Sequence, residues 1–139
     1  MKKLKKKANN NERECTLNDY KLSDKSKSKL DGVNPDLVRV VERAITICSV
    51  DFGVSEGVRS LDRQKDLCLS GASKTLQSKH LTGDAVDLFA YSEGKITWQF
   101  SFYEQVALAM YAAAMKEKVL ITWGGSWDNF KDGVHFQIR

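Results

Sequence analysis

The stretch SKHLTGDAVDL, residues 78–88, holds one of the two histidines of the chain and an aspartate seven residues further on. The other histidine, His135, lies in DGVHFQIR at the end of the chain. Two histidines and one carboxylate are a common ligand set for a catalytic zinc ion that keeps a water molecule in its fourth position. His80, Asp87 and His135 are therefore candidate metal ligands, and the alternative is that each histidine is a satisfied structural residue.

The strand pattern around these candidates supports a shared site. In VHFQIR the apolar side chains alternate with His135 and Gln137, so the two sets lie on opposite faces of a strand. In AVDLFAY, Asp87 likewise lies on the face opposite Val86 and Leu88. Aspartate is disfavoured inside strands, and a buried carboxylate needs a partner. Both strands thus offer a potential ligand on the side away from their apolar residues.

Two further residues could take part in the chemistry. Asp132 precedes His135 by three residues, across a glycine, and a turn there would aim its carboxylate at a metal-activated water. By itself, an aspartate in this position is usually a turn residue. Arg59, in EGVRS, would by itself be a surface cation.

The elements that must position these residues alternate irregularly along the chain. A strong helix signal begins at Asn34, a suitable N-cap, followed by Pro35. We predict an α+β fold in one compact domain, with a small, mainly antiparallel sheet flanked by helices. In chain order, the predicted elements are a helix over 34–48, a strand over 52–60, a helix over 60–71, a loop over 72–84, a strand over 85–91, a turn over 92–96, a helix over 100–118, a strand over 119–125, a loop over 126–133 and a strand over 134–139.

Length and charge divide the chain into a basic leader and a body. The 139 residues fit one domain. Residues 1–30 hold ten Lys or Arg against four Asp or Glu, so they carry +6 and leave −2 for the rest of the net +4. We predict a disordered basic leader over 1–20 and a folded domain over 21–139. The leader would either contact an anionic envelope or be only a solvated polar extension. It lacks the interleaved aromatics of a nucleic-acid site, so no nucleic-acid partner is expected.

Three motifs together resemble the M15 zinc metallopeptidases. SKHLTGDAVDL resembles their S-x-H-x-x-G-x-A-x-D motif, DGVHFQ resembles their D/E-x-x-H segment, and EGVRSLDRQ resembles their segment with an arginine and a nearby glutamine. The likeness is greatest to the phage and bacterial L-alanyl-D-glutamate peptidases, including phage endolysins, and covers about residues 20–139. It implies a fold of the hedgehog and DD-peptidase type.

The resemblance implies roles for the candidate residues. His80, Asp87 and His135 would bind Zn²⁺, Asp132 would be the general base, and Arg59 would hold the substrate carbonyl or its oxyanion. Ser78 would orient the site. The two tryptophans of TWGGSW, at 123 and 127, would wall the cleft or belong to the core.

The resemblance also implies a substrate and a place of action. The protein would be a monomeric endolysin that cuts the L-alanyl-D-glutamate bond of the peptidoglycan stem peptide. No membrane span is expected, because no apolar run of the sequence approaches the roughly 20 residues that a span needs. With no export signal recognisable, it would stay in the host cytoplasm until a holin releases it to the wall. Two alternatives remain: a D-alanyl-D-alanine carboxypeptidase or dipeptidase of the same fold, and a non-catalytic zinc domain that binds the wall.

Overall fold

The computed structural model of the chain describes residues 18–73, 77–129 and 131–139. Residues 1–17 of the predicted leader lie outside this part, so the leader and its boundary stay predictions. In chain order, the elements are α1 (Asp24–Lys29), α2 (Pro35–Ile47), β1 (Phe52–Glu56), α3 (Leu61–Leu69), a 3₁₀ turn (Lys79–Thr82), β2 (Ala85–Ser92), β3 (Lys95–Thr97), α4 (Phe100–Glu117), β4 (Ile121–Trp123), a second 3₁₀ turn (Gly124–Ser126) and β5 (His135–Ile138).

The strands form one antiparallel sheet in the order β1-β2-β5-β4, with β3 paired to β2. The predicted α+β class with a small antiparallel sheet is therefore confirmed. Two pairings of the central strand β2 position the candidate site. Asp87 lies opposite His135 on β5 and opposite Glu56 on β1. Side chains of directly opposed residues share one face of a sheet, so this register brings these three residues together.

Helices α2 and α4 pack against each other and against one face of the sheet. The predicted start of α2 is confirmed: the Asn34 side chain accepts a hydrogen bond from the Asp36 N–H at 2.9 Å, and Pro35 follows it. The buried core contains Leu37, Val40, Val41, Ala44, Val86, Leu88, Val106, Met110 and Phe136. The apolar residues of β2 and β5 face this core, and the opposite face of the sheet carries the candidate ligands.

Several predicted boundaries are wrong. The strand over 52–60 ends at Glu56, because Gly57 passes against α1 so closely that a Cβ atom there would lie 2.1 Å from the Lys29 carbonyl oxygen. The turn over 92–96 is confined to Glu93 and Gly94, because Ser92 ends β2 and Lys95–Thr97 pairs with β2 as β3. A strand of three residues is too short for an alternation signal. Helix α1 was not predicted.

Ser60, at the predicted start of the helix over 60–71, caps α3, since its side chain accepts from the Arg63 N–H. In the described ranges, no helix combines the length and the apolar character needed to cross a bilayer.

Candidate metal centre and active site

The three predicted ligands meet at one point above the sheet. Their ligand atoms all lie within 4.8 Å of one another. Asp87 Oδ1 is 3.1 Å from His80 Nε2 and 3.4 Å from His135 Nδ1. Asp87 comes from β2, His135 begins β5, and His80 lies on the 3₁₀ turn that precedes β2. The group is nearly enclosed: His80 is 1% and His135 6% exposed.

The 3₁₀ turn that carries His80 has a cap at each end. Ser78 Oγ accepts from the His80 N–H at 3.1 Å, so this serine positions the backbone of the ligand. Gly83 ends the turn with φ of 81°. A Cβ atom on Gly83 would lie 2.6 Å from the Gly32 carbonyl oxygen, so both the backbone angle and the space require glycine.

The second nitrogen of each histidine is already engaged. His80 Nδ1 lies 2.8 Å from the Gly57 carbonyl oxygen, which can only accept, so Nδ1 carries the proton. His135 Nε2 lies 2.8 Å from Gln137 Oε1 and donates to it. In the neutral histidines, His80 Nε2 and His135 Nδ1 are then lone-pair donors that face a carboxylate oxygen. Three electron-rich atoms turned toward one another fit a cation between them.

Arg59 is bound to the protein through most of its donors. Its Nε and Nη2 atoms each donate to Glu56 at 2.9 Å, and Nη1 donates to Gln64 Oε1 at 2.7 Å. Nη2 also lies 3.3 Å from Asp87 Oδ2, the carboxylate oxygen turned away from the histidines. The Arg59 side chain is 7% exposed. These contacts make Arg59 a support for Asp87 and leave little of its guanidinium for a substrate.

Gln64, which accepts from Arg59 Nη1, is itself held in place by the protein. The residue is fully buried, and its Nε2 atom donates to Ser73 Oγ at 2.8 Å. The Arg59 backbone N–H donates to the His80 carbonyl at 2.9 Å. The segment after β1 thus holds two of the three candidate ligands, Asp87 through its side chain and His80 through its backbone.

The site also changes the proton affinities of its acids and bases. Burial opposes the charge of Asp87, but in the metal-free site hydrogen bonds from the imidazolium forms of His135 and His80 outweigh it and hold the pKa of this carboxyl below its usual range. Burial lowers the pKa of His135, but the Asp87 carboxylate more than offsets this and the pKa is raised. Burial, and then repulsion from Asp87, raise the pKa of Asp132.

Asp132 lies in the same cleft as the three candidate ligands. The cleft has a volume of about 520 Å³. The position of Asp132 depends on Gly124. The Asp132 N–H donates to the Gly124 carbonyl at 3.0 Å, and a Cβ atom on Gly124 would lie 2.5 Å from the Asp132 carbonyl oxygen. The same Cβ would lie 3.1 Å from His135 Cβ. The loop therefore needs a glycine at this position to bring a free carboxylate beside the ligand group.

The two tryptophans of TWGGSW have different environments. Trp127 lines the cleft, with its ring centroid 5.2 Å from that of His135. Trp123 packs between Phe100 and Phe136 and donates from its Nε1 atom to the Gly133 carbonyl at 2.7 Å. Trp127 is thus the cleft residue and Trp123 belongs to the core, where it also fixes the turn that follows Asp132.

Sequence reasoning missed several residues of the site. Glu56, the Gly57 carbonyl and Lys79 carried no recognisable signal. The partners of Gly57 and Lys79, which are His80 and Ile138, are distant in the chain, whereas Glu56 pairs with Arg59 only three residues on. The alternation in VHFQIR had placed Gln137 on the face of His135, and this is confirmed. That pattern could also have suggested the bond between the two side chains.

A family model described as phage L-alanyl-D-glutamate peptidase matches residues 18–136 of the chain. The chain belongs to this family. This member is 29% identical over 124 residues to the L-alanyl-D-glutamate peptidase of Escherichia phage T5, which covers 86% of this chain and 90% of that protein. It is 34% identical over 90 residues to the L-alanyl-D-glutamate peptidase of Listeria phage A118, and the match spans 65% of this chain and 31% of that protein.

Among solved structures, this family member resembles the L-Ala D-Glu endopeptidase ChiX of Serratia marcescens. The TM-score is 0.80 at 45% sequence identity, and the match covers 84% of this chain and 87% of the other. The resemblance stated from the motifs is therefore confirmed at the level of family and fold.

Proposed function

We propose that this chain is a zinc peptidase of the endolysin type that hydrolyses the L-alanyl-D-glutamate bond of the peptidoglycan stem peptide. The observation that carries the proposal is the meeting of His80 Nε2, Asp87 Oδ1 and His135 Nδ1 within 4.8 Å, in the cleft that also holds Asp132. The names of the two phage relatives and of the Serratia enzyme support the choice of the L-alanyl-D-glutamate bond as the one that is cut.

The donor set fits zinc. Two neutral imidazoles and one carboxylate give a borderline-soft, partly charged set with room for a fourth ligand from the cleft. A bound zinc ion would supply Lewis acidity toward the scissile carbonyl and would lower the pKa of water in the site. The chain's own task is to keep each imidazole in the metal-binding tautomer, through Gly57 for His80 and through Gln137 for His135.

Asp132 is the proposed general base. It takes a proton from the attacking water at its carboxylate and later delivers this proton to the leaving amine of the D-glutamyl residue. A raised pKa favours both halves of this task, because a base with a pKa nearer the working pH is also a better acid in the second step. Trp127 forms the wall of the cleft beside His135 and limits the access of other water molecules.

Arg59 is proposed here as a positioning residue. The resemblance implied that it holds the substrate carbonyl or oxyanion, but its bonds to Glu56, Gln64 and Asp87 support a different task. By binding Oδ2 of Asp87, it leaves Oδ1 to face the histidines and restricts rotation of the carboxylate.

The family match over 18–136 supports a peptidase domain over the proposed range 21–139. We propose that the enzyme acts as a monomer and, since relatives come from phages, that it reaches the wall after release from the host cytoplasm through a holin.

The test is digestion of purified peptidoglycan with product analysis by mass spectrometry. The zinc-loaded wild type is expected to create new N-termini at D-glutamate, and chelation or His80→Ala is expected to abolish them. For the variant Asp132→Asn in the same assay, Asp128→Asn is the matched control, because Asp128 is an exposed acid of the same loop. Release of terminal D-alanine alone would favour the carboxypeptidase alternative, and zinc binding without any product would favour the wall-binding domain.

A further inference from the structure

Lys79, next to the ligand His80, is a charged residue of the cleft that the proposed mechanism does not use. Among the described residues that line the cleft, three are carboxylates and two are cations other than histidine. The carboxylates are Glu56, Asp87 and Asp132, and the cations are Arg59 and Lys79. The partners of each cation decide which of them can bind an anionic substrate.

Arg59 is already neutralised by the protein. Its guanidinium is paired with Glu56 and Asp87, and its Nη1 atom donates to the Gln64 side chain. Because the side chain is 7% exposed, a substrate anion would have to displace one of these buried partners. Breaking a buried ion pair is costly, since it leaves an uncompensated charge.

The Lys79 ammonium has no such counterion. Its Nζ atom donates to the Ile138 carbonyl at 2.5 Å, a neutral acceptor on β5, and two of its three N–H groups remain. In the described part of the chain, no carboxylate oxygen forms an ion pair with it. Asp84 feels its charge at longer range, but the Asp84 oxygens accept from Asn34 and Thr82. The bond to Ile138 thus holds the ammonium of a half-buried lysine of the cleft lining, which forms no ion pair with any of the described carboxylates.

The proposed substrate carries a matching charge. A glutamyl residue that is joined to alanine through its amine and to the next residue through one carboxyl group keeps its second carboxyl group as a free carboxylate. This anion lies on the leaving side of the bond that is cut, within one residue of the metal.

We propose that Lys79 is a specificity-determining residue that binds the free carboxylate of the D-glutamyl residue. The inference rests on the proposed function and deepens it, because it assigns the leaving-side subsite to a named cation. A charge-assisted hydrogen bond of this kind distinguishes a carboxylate from a neutral carboxamide of the same shape.

The experiment compares two synthetic stem peptides that differ only at the D-glutamyl residue, one with the free carboxylate and one with the carboxamide. The zinc-loaded wild type, Lys79→Met, Lys79→Arg and Lys95→Met are assayed on both for kcat and KM. Lys95 is an exposed lysine of β3 outside the cleft, so Lys95→Met controls for the loss of one positive charge. Zinc affinity and Tm are measured for each variant to show that the site is intact.

The wild type is expected to prefer the carboxylate peptide by about tenfold in kcat/KM. Lys79→Met is expected to lose about this preference, mainly through KM, and to cut the carboxamide peptide within about twofold of the wild-type rate. Lys79→Arg is expected to retain the preference for the acid, and Lys95→Met to match the wild type.

Equal losses on both peptides would overturn the inference, since Lys79 would then act only through its bond to Ile138. An unchanged preference in Lys79→Met would overturn it as well. If the wild type cuts neither peptide, the proposed function itself fails and this inference fails with it. This outcome is distinguishable from failure of the inference alone, in which the wild type remains active.

Discussion

Arg59 Nη2 lies 3.3 Å from Asp87 Oδ2, while Asp87 Oδ1 lies 3.1 Å from His80 Nε2. The two oxygens of one carboxylate thus have separate tasks: one is bound to the guanidinium and the other is directed at the proposed metal position. Hydrogen bonds to a ligating carboxylate orient it, and removing their donors typically lowers metal affinity by about 10–100-fold. This relationship leads to the first prediction.

Arg59→Met is expected to lower zinc affinity by about 10–100-fold, because Asp87 Oδ2 loses its donor and the carboxylate can rotate. Competition with a chromogenic chelator measures the affinity directly, without relying on activity. Arg63→Met is the matched control, since Arg63 is a more exposed cation that lies 3.6 Å from the same Glu56. Arg59→Met with unchanged zinc affinity and reduced kcat would instead support the oxyanion role implied by the family resemblance.

Asp132→Asn is expected to reduce kcat by about 10²–10⁴-fold while zinc affinity is retained, because it removes the base and none of the ligands. The metal-free variant is also expected to have a higher Tm than the metal-free wild type at neutral pH. The folded-state pKa of Asp132 is raised by burial, so its charged form destabilises the fold, and the wild type regains this stability as pH falls through the raised pKa.

Calorimetry of both metal-free proteins across the acidic range tests this relation. The difference in Tm should shrink as the pH falls and Asp132 becomes protonated in the fold. A difference that stays constant with pH would mean that the titration of Asp132 does not cause it.

Zinc binding is expected to weaken on acidification at a pH above the ordinary pKa of histidine. His135 must be neutral to bind the metal, and its pKa is raised because Asp87 outweighs the effect of burial, so protons compete at a higher pH than usual. Titrations with zinc between about pH 5 and pH 8 test this. Affinity that declines only below the ordinary histidine range would contradict it.

Gly124→Ala is expected to lower both the stability and the activity of the protein. The added Cβ would lie 2.5 Å from the Asp132 carbonyl oxygen and 3.1 Å from His135 Cβ, so the loop has to move. Such overpacking costs about 1–3 kcal/mol in the free energy of unfolding. Gly133→Ala is the matched control on the same turn, because its Cβ would meet no atom closer than 3.4 Å. Denaturant melts and the peptidoglycan assay on both variants measure the difference.

Much of the fold was readable from local patterns. Asn34 with Pro35 marked the start of α2, Ser60 marked the start of α3, and alternation placed Asp87 and His135 on the faces where they lie. The boundaries of the short strands were not readable. β1 ends before Gly57, which approaches the Lys29 carbonyl of a distant helix, and β3 begins after Gly94, which has a positive φ of 80°. A strand of three to five residues offers too few positions for a periodic signal.

The sequence by itself determined which residues could bind a metal, that two of them lie on strand faces opposite to the apolar residues, and to which family the motifs point. Only the tertiary structure decided which nitrogen of each histidine is free, that Arg59 is bound to Glu56 and Gln64, and that Trp127 rather than Trp123 lines the cleft. The physical reason is the separation along the chain of the residues that interact. Alternation and capping act between neighbours in the chain, whereas a tautomer or an ion pair depends on partners that only folding brings within hydrogen-bond distance.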